Sequence, residues 1–408
     1  METPRRSTIP VDFPLILATI ALCGMGLASI YSATHGTALF QRFEKQIFWD
    51  LMGILTLAIV AVAPPRFFHY SAYPLYGAGI LSLVLVLLFG KTVAGNAGWF
   101  GIGPFGVQPS EFAKVTTIIA LSRYVSESGT TLRTFREIAG AFAIVGLPWG
   151  LILIQPDFGT GIVYWASFFF ILLWVGTDVV ILLTFLSPVL TVLLSIVNLW
   201  LFLGFAFGIS VIFYLVKKHI GFALLFLVLN LSAGFSIQYL YDHIPEHQKA
   251  RIAVFLDPSR SPRTSGYNVL QSKVAIGAGG LTGKGYMRGT QTQLRFVPEQ
   301  STDFIFCVPA EEFGFVGVML ILSLYGVIVF RGLRIALRAS FRFSSVLAFG
   351  ATSTIFFHVV VNVGMAAGIL PVIGIPLPFM SYGGSFTITS MALVGLLQHI
   401  HYSTAQTK

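Results

Sequence analysis

Apolar residues come along this chain in long unbroken runs, at about 12–33, 45–63, 71–90, 109–125, 138–155, 161–177, 179–198, 199–216, 219–241, 304–330, 344–367 and 383–400. A helix needs roughly 20 such residues to cross a bilayer. Each run therefore predicts one membrane helix, and the pattern as a whole predicts an all-α polytopic bundle of twelve spans in a single membrane domain covering 1–408. A transmembrane β-barrel is excluded, because its strands alternate apolar and polar positions and these runs do not.

Three interruptions carry the remaining information. Between 179 and 216, Pro188, Asn198 and Gly204 mark either two short helices or one broken one. The stretch 242–303 is dense in charged, amide and glycine residues and reads as a large loop outside the membrane. Within it VLQSKVAIGAGGLTGKG predicts an amphipathic interfacial helix at about 267–277 that ends in a glycine-rich turn. That turn is not a phosphate loop: Lys284 is followed by Gly285 rather than Ser or Thr, and no buried strand precedes it. The third interruption, 368–385, places three prolines and three glycines before the last run. Broken backbone at membrane depth is tolerated only when buried in protein or lining a cavity, so a partly re-entrant, cavity-lining loop is expected there.

Composition agrees with the pattern and adds orientation. The 408 residues are 55% hydrophobic and only 10% charged, with a mean hydropathy of +0.83, against about 25% charged in soluble domains. The net charge of +9 follows from basic residues gathered in short loops: Arg5 and Arg6, then Arg66, then Arg123, Arg133 and Arg136, then Lys217 and Lys218, then Arg331, Arg334, Arg338 and Arg342, and finally Lys408. All of them fall on the cytoplasmic side only if an even number of spans lies between 161 and 241, and four fit. Both termini are then cytoplasmic and 242–303 extracytoplasmic. No signal-cleavage pattern follows the first run, so it is expected to stay as a span. A nucleic-acid partner would require a basic polar surface that this chain lacks. Cys23 and Cys307 fit neither a disulfide framework nor a metal site and read as small core residues.

An ionisable group inside hydrocarbon costs at least roughly 3 kcal/mol, so each one calls for a reason. Glu111 and Lys114 share one helix face, either as a structural ion pair or as the lining of a polar cavity. Asp157 follows Pro156 at a span boundary, where a helix cap is the simplest role. His358 and Asn362, four apart, point the same way for interhelical hydrogen bonding. In the polar loop, Arg251, Lys273, Lys284, Arg288 and Arg295 suit an anionic phosphate headgroup, specific or general. Asp303 stands where that loop meets a long apolar run. It is either a first-turn acid behind a Ser301 or Thr302 cap or a general base at the mouth of an intramembrane cavity. Its residue type does not choose between the two.

The motifs QPSEFAK (108–114), QPDFGTG (155–161), SGYNVLQSKVAIGAGGLTGKG (265–285), GTQTQL (289–294), VPEQSTDFIF (297–306), AEEFGFVG (310–317) and NVGMAAGILPVIGIPLPFMSYGGS (362–385) resemble those of the SEDS family, the bacterial shape, elongation, division and sporulation proteins. KVAIGAGG and GTQTQL are closer to the elongation members. The resemblance implies a multi-pass peptidoglycan glycosyltransferase of the bacterial inner membrane, polymerising lipid II, the undecaprenyl-pyrophosphate-linked disaccharide-pentapeptide, beside a class B penicillin-binding protein. It implies Asp303 as the catalytic carboxylate. It also implies substrate contacts at Glu111, Lys114, Asp157, Lys273, Lys284, Gln291, Gln293, Glu299, Ser381 and Tyr382, no dedicated metal ligand, and a Mg or Mn ion as an optional aid to the leaving pyrophosphate.

Two departures stand against the family pattern. Gly98 occupies a position where an arginine is usual, leaving Lys91 as the nearby cation. The usual member has ten spans, so 179–216 reads as an added helix pair. Two other functions use the same features. A flippase for lipid-linked precursor would spread its charges along a two-sided path, whereas this chain concentrates them in one outer loop. A non-catalytic scaffold for the penicillin-binding protein would tolerate loss of Asp303.

Overall fold

The computed structural model describes residues 11–64, 66–93, 96–102, 105–127, 132, 135–218, 220–243 and 265–406. The basic residues Arg5, Arg6, Arg133, Arg251 and Lys408 lie outside them.

In chain order the elements are α1 (Phe13–Thr34), α2 (Gln41–Ala61), α3 (Phe67–Tyr70), α4 (Ala72–Phe89), β1 (Lys91–Val93), β2 (Asn96–Ile102), β3 (Phe105–Val107), α5 (Pro109–Glu127), α6 (Phe135–Ile154), α7 (Phe158–Val175), α8 (Val179–Val197), α9 (Leu199–Lys217) and α10 (Ile220–His243). After the described residues resume come α11 (Ser265–Ala278), α12 (Thr290–Gln293), α13 (Cys307–Arg338), α14 (Arg342–Ala366) and α15 (Gly384–Gln406). Twelve of these helices have 18 residues or more, and each coincides with one apolar run of the sequence. Seven are long and apolar enough to cross a membrane by length and composition alone. Helices α2 and α5 fall outside that set because each carries four ionisable residues, among them Arg42 and Asp50 in α2 and Glu111 and Lys114 in α5.

The ambiguous stretch 179–216 resolves into two helices. Pro188 stays inside α8. The break falls at Asn198, whose extended backbone ends one helix while its Oδ1 accepts from the N–H groups of Trp200 (2.8 Å) and Leu201 (3.3 Å) to begin the next. An asparagine oxygen satisfies donors that the first turn of a helix leaves unpaired, and Gly204 offers no such oxygen.

One small sheet departs from the all-helical expectation. β1, β2 and β3 pair antiparallel in that order, with Lys91 opposite Trp99 and Gly101 opposite Gly106. It fills the connection between α4 and α5, a stretch too short and too glycine-rich for a hydrophobic period to reveal.

The core lies where α14 packs among α5, α7 and α13 while α15 runs along α2. Helices α8, α9 and α10 pack chiefly on one another and meet the remainder through α7. Helix α13 is broken near its start. Gly314 has φ 61° and ψ −155°, a region that only glycine adopts readily. The glycine-rich turn after α11 splints the gap: Lys284 and Gly285 donate to the carbonyls of Glu311 and Glu312, while Phe315 and Val316 donate to those of Gly280 and Leu281. GAGGLTGKG thus repairs the hydrogen-bond ladder of a membrane helix, where an unpaired backbone group has no water to turn to.

Candidate functional site

The loop 368–385 gathers the site. Ser381 Oγ donates to Thr302 O (2.7 Å), and Tyr382 N donates to Ser301 O (2.9 Å). Asn362 Nδ2 donates both to Asp303 O and to Ile375 O (2.8 Å each). Gln108 N donates to Ser385 Oγ (2.9 Å). Three stretches, one of them 277 residues away in sequence, are therefore tied to one irregular segment. Such a segment, sewn down by side chains, holds a fixed shape without regular secondary structure.

Asp303 occupies a run of turns over 298–306. Helix α13 begins only at Cys307, with Phe306 at its cap position, so the first-turn role is excluded. Asp303 is half-buried, and a Cβ added at Gly374 would lie 3.4 Å from its Oδ2. Gly374 has φ +76°, and its bare backbone leaves the carboxylate room on that side. Arg42 adds a cation: its Nη1 donates to Ser301 Oγ (2.7 Å), lies 3.5 Å from Glu299 Oε2, and its guanidinium sits 5.7 Å from the Tyr382 ring centroid. Burial holds the Tyr382 hydroxyl above the ordinary tyrosine value, and Arg42 opposes that shift.

Glu111 and Lys114 form a buried pair at 2.8 Å in α5. Lys114 Nζ also lies 3.3 Å from His358 Nε2, and Thr389 Oγ1 reaches Glu111 Oε2 at 3.3 Å. His358 and Asn362 are four apart on α14, so one helix face connects the buried pair to the backbone of Asp303. Asp157 caps α7 through Thr160 N (3.1 Å) and accepts from Gln108 Nε2 (2.7 Å). Cap and site contact are one arrangement.

A second cluster takes Lys284, Gln291 and Gln293 elsewhere. Glu311, fully buried, accepts from Lys284 Nζ (3.0 Å) and from the backbone of Gln291 (2.8 Å) and Thr292 (2.9 Å). Glu312 is bonded to Ser32 and to Met287 N, and Gln293 Nε2 donates to Ser32 Oγ (2.8 Å). Lys273 is exposed beside Gly368 at the rim of the gathering loop.

The sequence reading passed over Arg42, Gln46 and Ser32. Gln46 accepts from Gly383 N (3.1 Å) and donates to Asp50 (2.8 Å) and Thr387 (3.0 Å). The signal was present in Arg42, Glu44 and Lys45 at the start of an apolar run. At Gly98, a Cβ would come within 2.8 Å of both Asn96 Oδ1 and Gln155 Oε1, so an arginine there would require these two side chains to move. Lys91, its proposed substitute, lies against Gly101 in the sheet. Among the described residues no group of three or more His, Cys, Asp or Glu side chains is placed to hold a metal ion.

With this geometry in view, the chain matches the FtsW/RodA/SpoVE cell cycle protein family over residues 13–406. It belongs to that family. Among its members, the peptidoglycan glycosyltransferase RodA of Treponema pallidum is 34% identical, with 97% of this chain and 98% of that protein covered. The peptidoglycan glycosyltransferase MrdB of Escherichia coli K12 is also 34% identical, with 98% and 97% covered. Among solved structures, a chain of a peptidoglycan synthase complex that coordinates polymerisation and crosslinking superposes with a TM-score of 0.74 at 28% identity, over 98% of this chain and all of that one. Thermus thermophilus RodA gives 0.64 at 26%, over 96% and 97%.

Proposed function

We propose that this chain is a peptidoglycan glycosyltransferase that polymerises lipid II during cell elongation, with Asp303 as general base. The observation that carries this reading is the placement of Asp303: a half-buried carboxylate in a turn tied down by Asn362, Ser381 and Tyr382, and not a helix cap. A base that is already oriented loses little on reaching its transition-state position.

In the proposed reaction, Asp303 takes the proton from the 4-hydroxyl of an incoming lipid II. The freed oxygen forms a bond to the anomeric carbon of the growing strand. The bond from that carbon to the diphosphate breaks, and its electron pair leaves with undecaprenyl pyrophosphate. Arg42 and Lys273, cations at the edge of the gathering loop, stabilise the departing charge. The pair Glu111–Lys114 and Asp157 hold the floor through α14 and Gln108. The donor set described above does not make an all-protein metal site, so no step is assigned to a cation.

Membrane placement follows the charge pattern, with twelve crossings, both termini cytoplasmic, 242–303 outside the inner membrane, and α8–α9 as the pair beyond the ten-span pattern. A class B penicillin-binding protein is the proposed partner, because the resemblance of the synthase-complex chain extends over this whole chain.

The deciding experiment is a gel assay of glycan products from purified protein and lipid II, with and without the partner. Wild type should give polymer and Asp303→Asn none, at equal thermal stability. Near-normal polymer from Asp303→Asn would remove the assignment, and lipid transport without polymer would make the chain a flippase.

A further inference from the structure

At the opposite end of α13 from Asp303, the last turns of α13 and α15 meet the start of α1 around a small notch. Asp12, Arg331, Arg334, Arg338, His401 and Thr404 line it, over Ile335. Three guanidinium groups face one carboxylate, and that carboxylate is already in use. Asp12 caps α1 through Leu15 N (3.2 Å), and both its oxygens accept from Arg331, each 2.9 Å from Nε. Among the described residues Arg334 and Arg338 have neither an ion pair nor a hydrogen bond. The C-terminal dipoles of α13 and α15 favour cations here but do not explain a concave arrangement of three.

Helical spacing sets what could fill the notch. Arg331, Arg334 and Arg338 share one face of α13, three or four residues apart. Phe330 and Leu337 stand four before and three after Arg334 on its other side, and they are 64% and 72% exposed. Arg334 therefore lies between a cationic notch and an apolar strip of the same helix. A phosphate matches the guanidinium fork, and a phosphate that carries acyl chains also matches the strip. Basic pockets between membrane helices are where acidic lipid headgroups bind.

We propose that this notch binds the phosphate of an anionic phospholipid, held by Arg334 and Arg338 beside the fixed Asp12–Arg331 pair, with acyl chains along Phe330 and Leu337. The proposal rests on the membrane placement given above but not on the assignment of Asp303. Free inorganic phosphate offers the same headgroup chemistry without the chains.

The test uses the full-length protein in nanodiscs of phosphatidylcholine, with phosphatidylglycerol or cardiolipin added, and counts retained lipid by native mass spectrometry. Wild type should retain the acidic lipids over phosphatidylcholine. The double variant Arg334→Gln/Arg338→Gln should retain about tenfold less, and Arg66→Gln, a basic residue outside the notch, should behave as wild type. Unchanged retention in the double variant, or an equal fall in Arg66→Gln, would overturn the site. Inorganic phosphate that binds wild type but not the double variant, without any preference for acidic lipid, would keep an anion site and overturn the lipid. If the double variant does not fold, Arg334→Lys/Arg338→Lys keeps the charge and loses the fork, and it should retain less lipid than wild type; equal retention would overturn the site. Polymer formation by wild type in discs that contain acidic lipid provides the separate readout: its absence would overturn the proposed glycosyl transfer and leave the notch standing, while lost lipid retention with polymer still formed would overturn the notch alone.

Discussion

Asp303 and Glu311 stand eight residues apart in the sequence, on either side of the start of α13. Glu311 is fully buried, and its two oxygens are engaged by a lysine and by the backbone of α12. Asp303 is half-buried; its backbone carbonyl takes the bond from Asn362, and its Oδ2 lies 3.4 Å from where a Cβ at Gly374 would stand. Both acids interrupt an apolar environment, yet one completes a scaffold and the other is presented by it. The lesson is that two neighbouring acids of one membrane protein can differ in what holds them, Glu311 by a lysine and the α12 backbone and Asp303 by the turn that carries it.

That contrast can be broken from either side. The largest effect is expected at Asp303→Asn, where polymer formation should fall at least about a hundredfold with the melting temperature unchanged. Comparable activity would make the two acids alike. Glu311→Gln should do the reverse, lowering stability by roughly 3 kcal/mol as Lys284 loses its counter-charge and the α12 amides keep one acceptor oxygen of two. Thermal unfolding in detergent measures it, and an unchanged melt with lost activity would move Glu311 into the site. Gly314→Ala should cost about 2 kcal/mol, since its Cβ would meet Gly283 N at 2.4 Å, while Gly326→Ala, with open space around it, should be neutral or slightly stabilising. Arg42→Gln should reduce polymer about tenfold through the lost cation and Ser301 contact. Glu299→Gln is expected to be the mildest, within about twofold, because its pair with Arg42 is exposed and long at 3.5 Å and such pairs contribute about 0–1 kcal/mol.

Much of the fold was legible because membrane helices carry their own signal. Length, continuity and charge placement located all twelve long helices, and α11 appeared where its amphipathic pattern lay. The sheet at 91–107 was not legible, since three short strands among glycines leave no period to count. Within the site, QPSE, QPDFG and SYGGS were visible as motifs, but Arg42 was not, because it meets Ser301 across 259 positions of sequence. The grouping of Lys284 with Asp303 as substrate contacts was natural on one polar loop. The structure pairs Lys284 with Glu311 at 3.0 Å, a partner the loop sequence did not announce.

The sequence by itself determined that this chain lives in a bilayer, where most of its long helices run, and which stretches interrupt them, because hydrocarbon thickness and the cost of unpaired backbone leave few choices. Only the tertiary structure decided which distant residues each interruption meets. The two acids differ in this: α12 and Lys284 for Glu311, the 368–385 loop for Asp303. Local sequence records the cost of burying a charge, and only packing shows where its partner comes from.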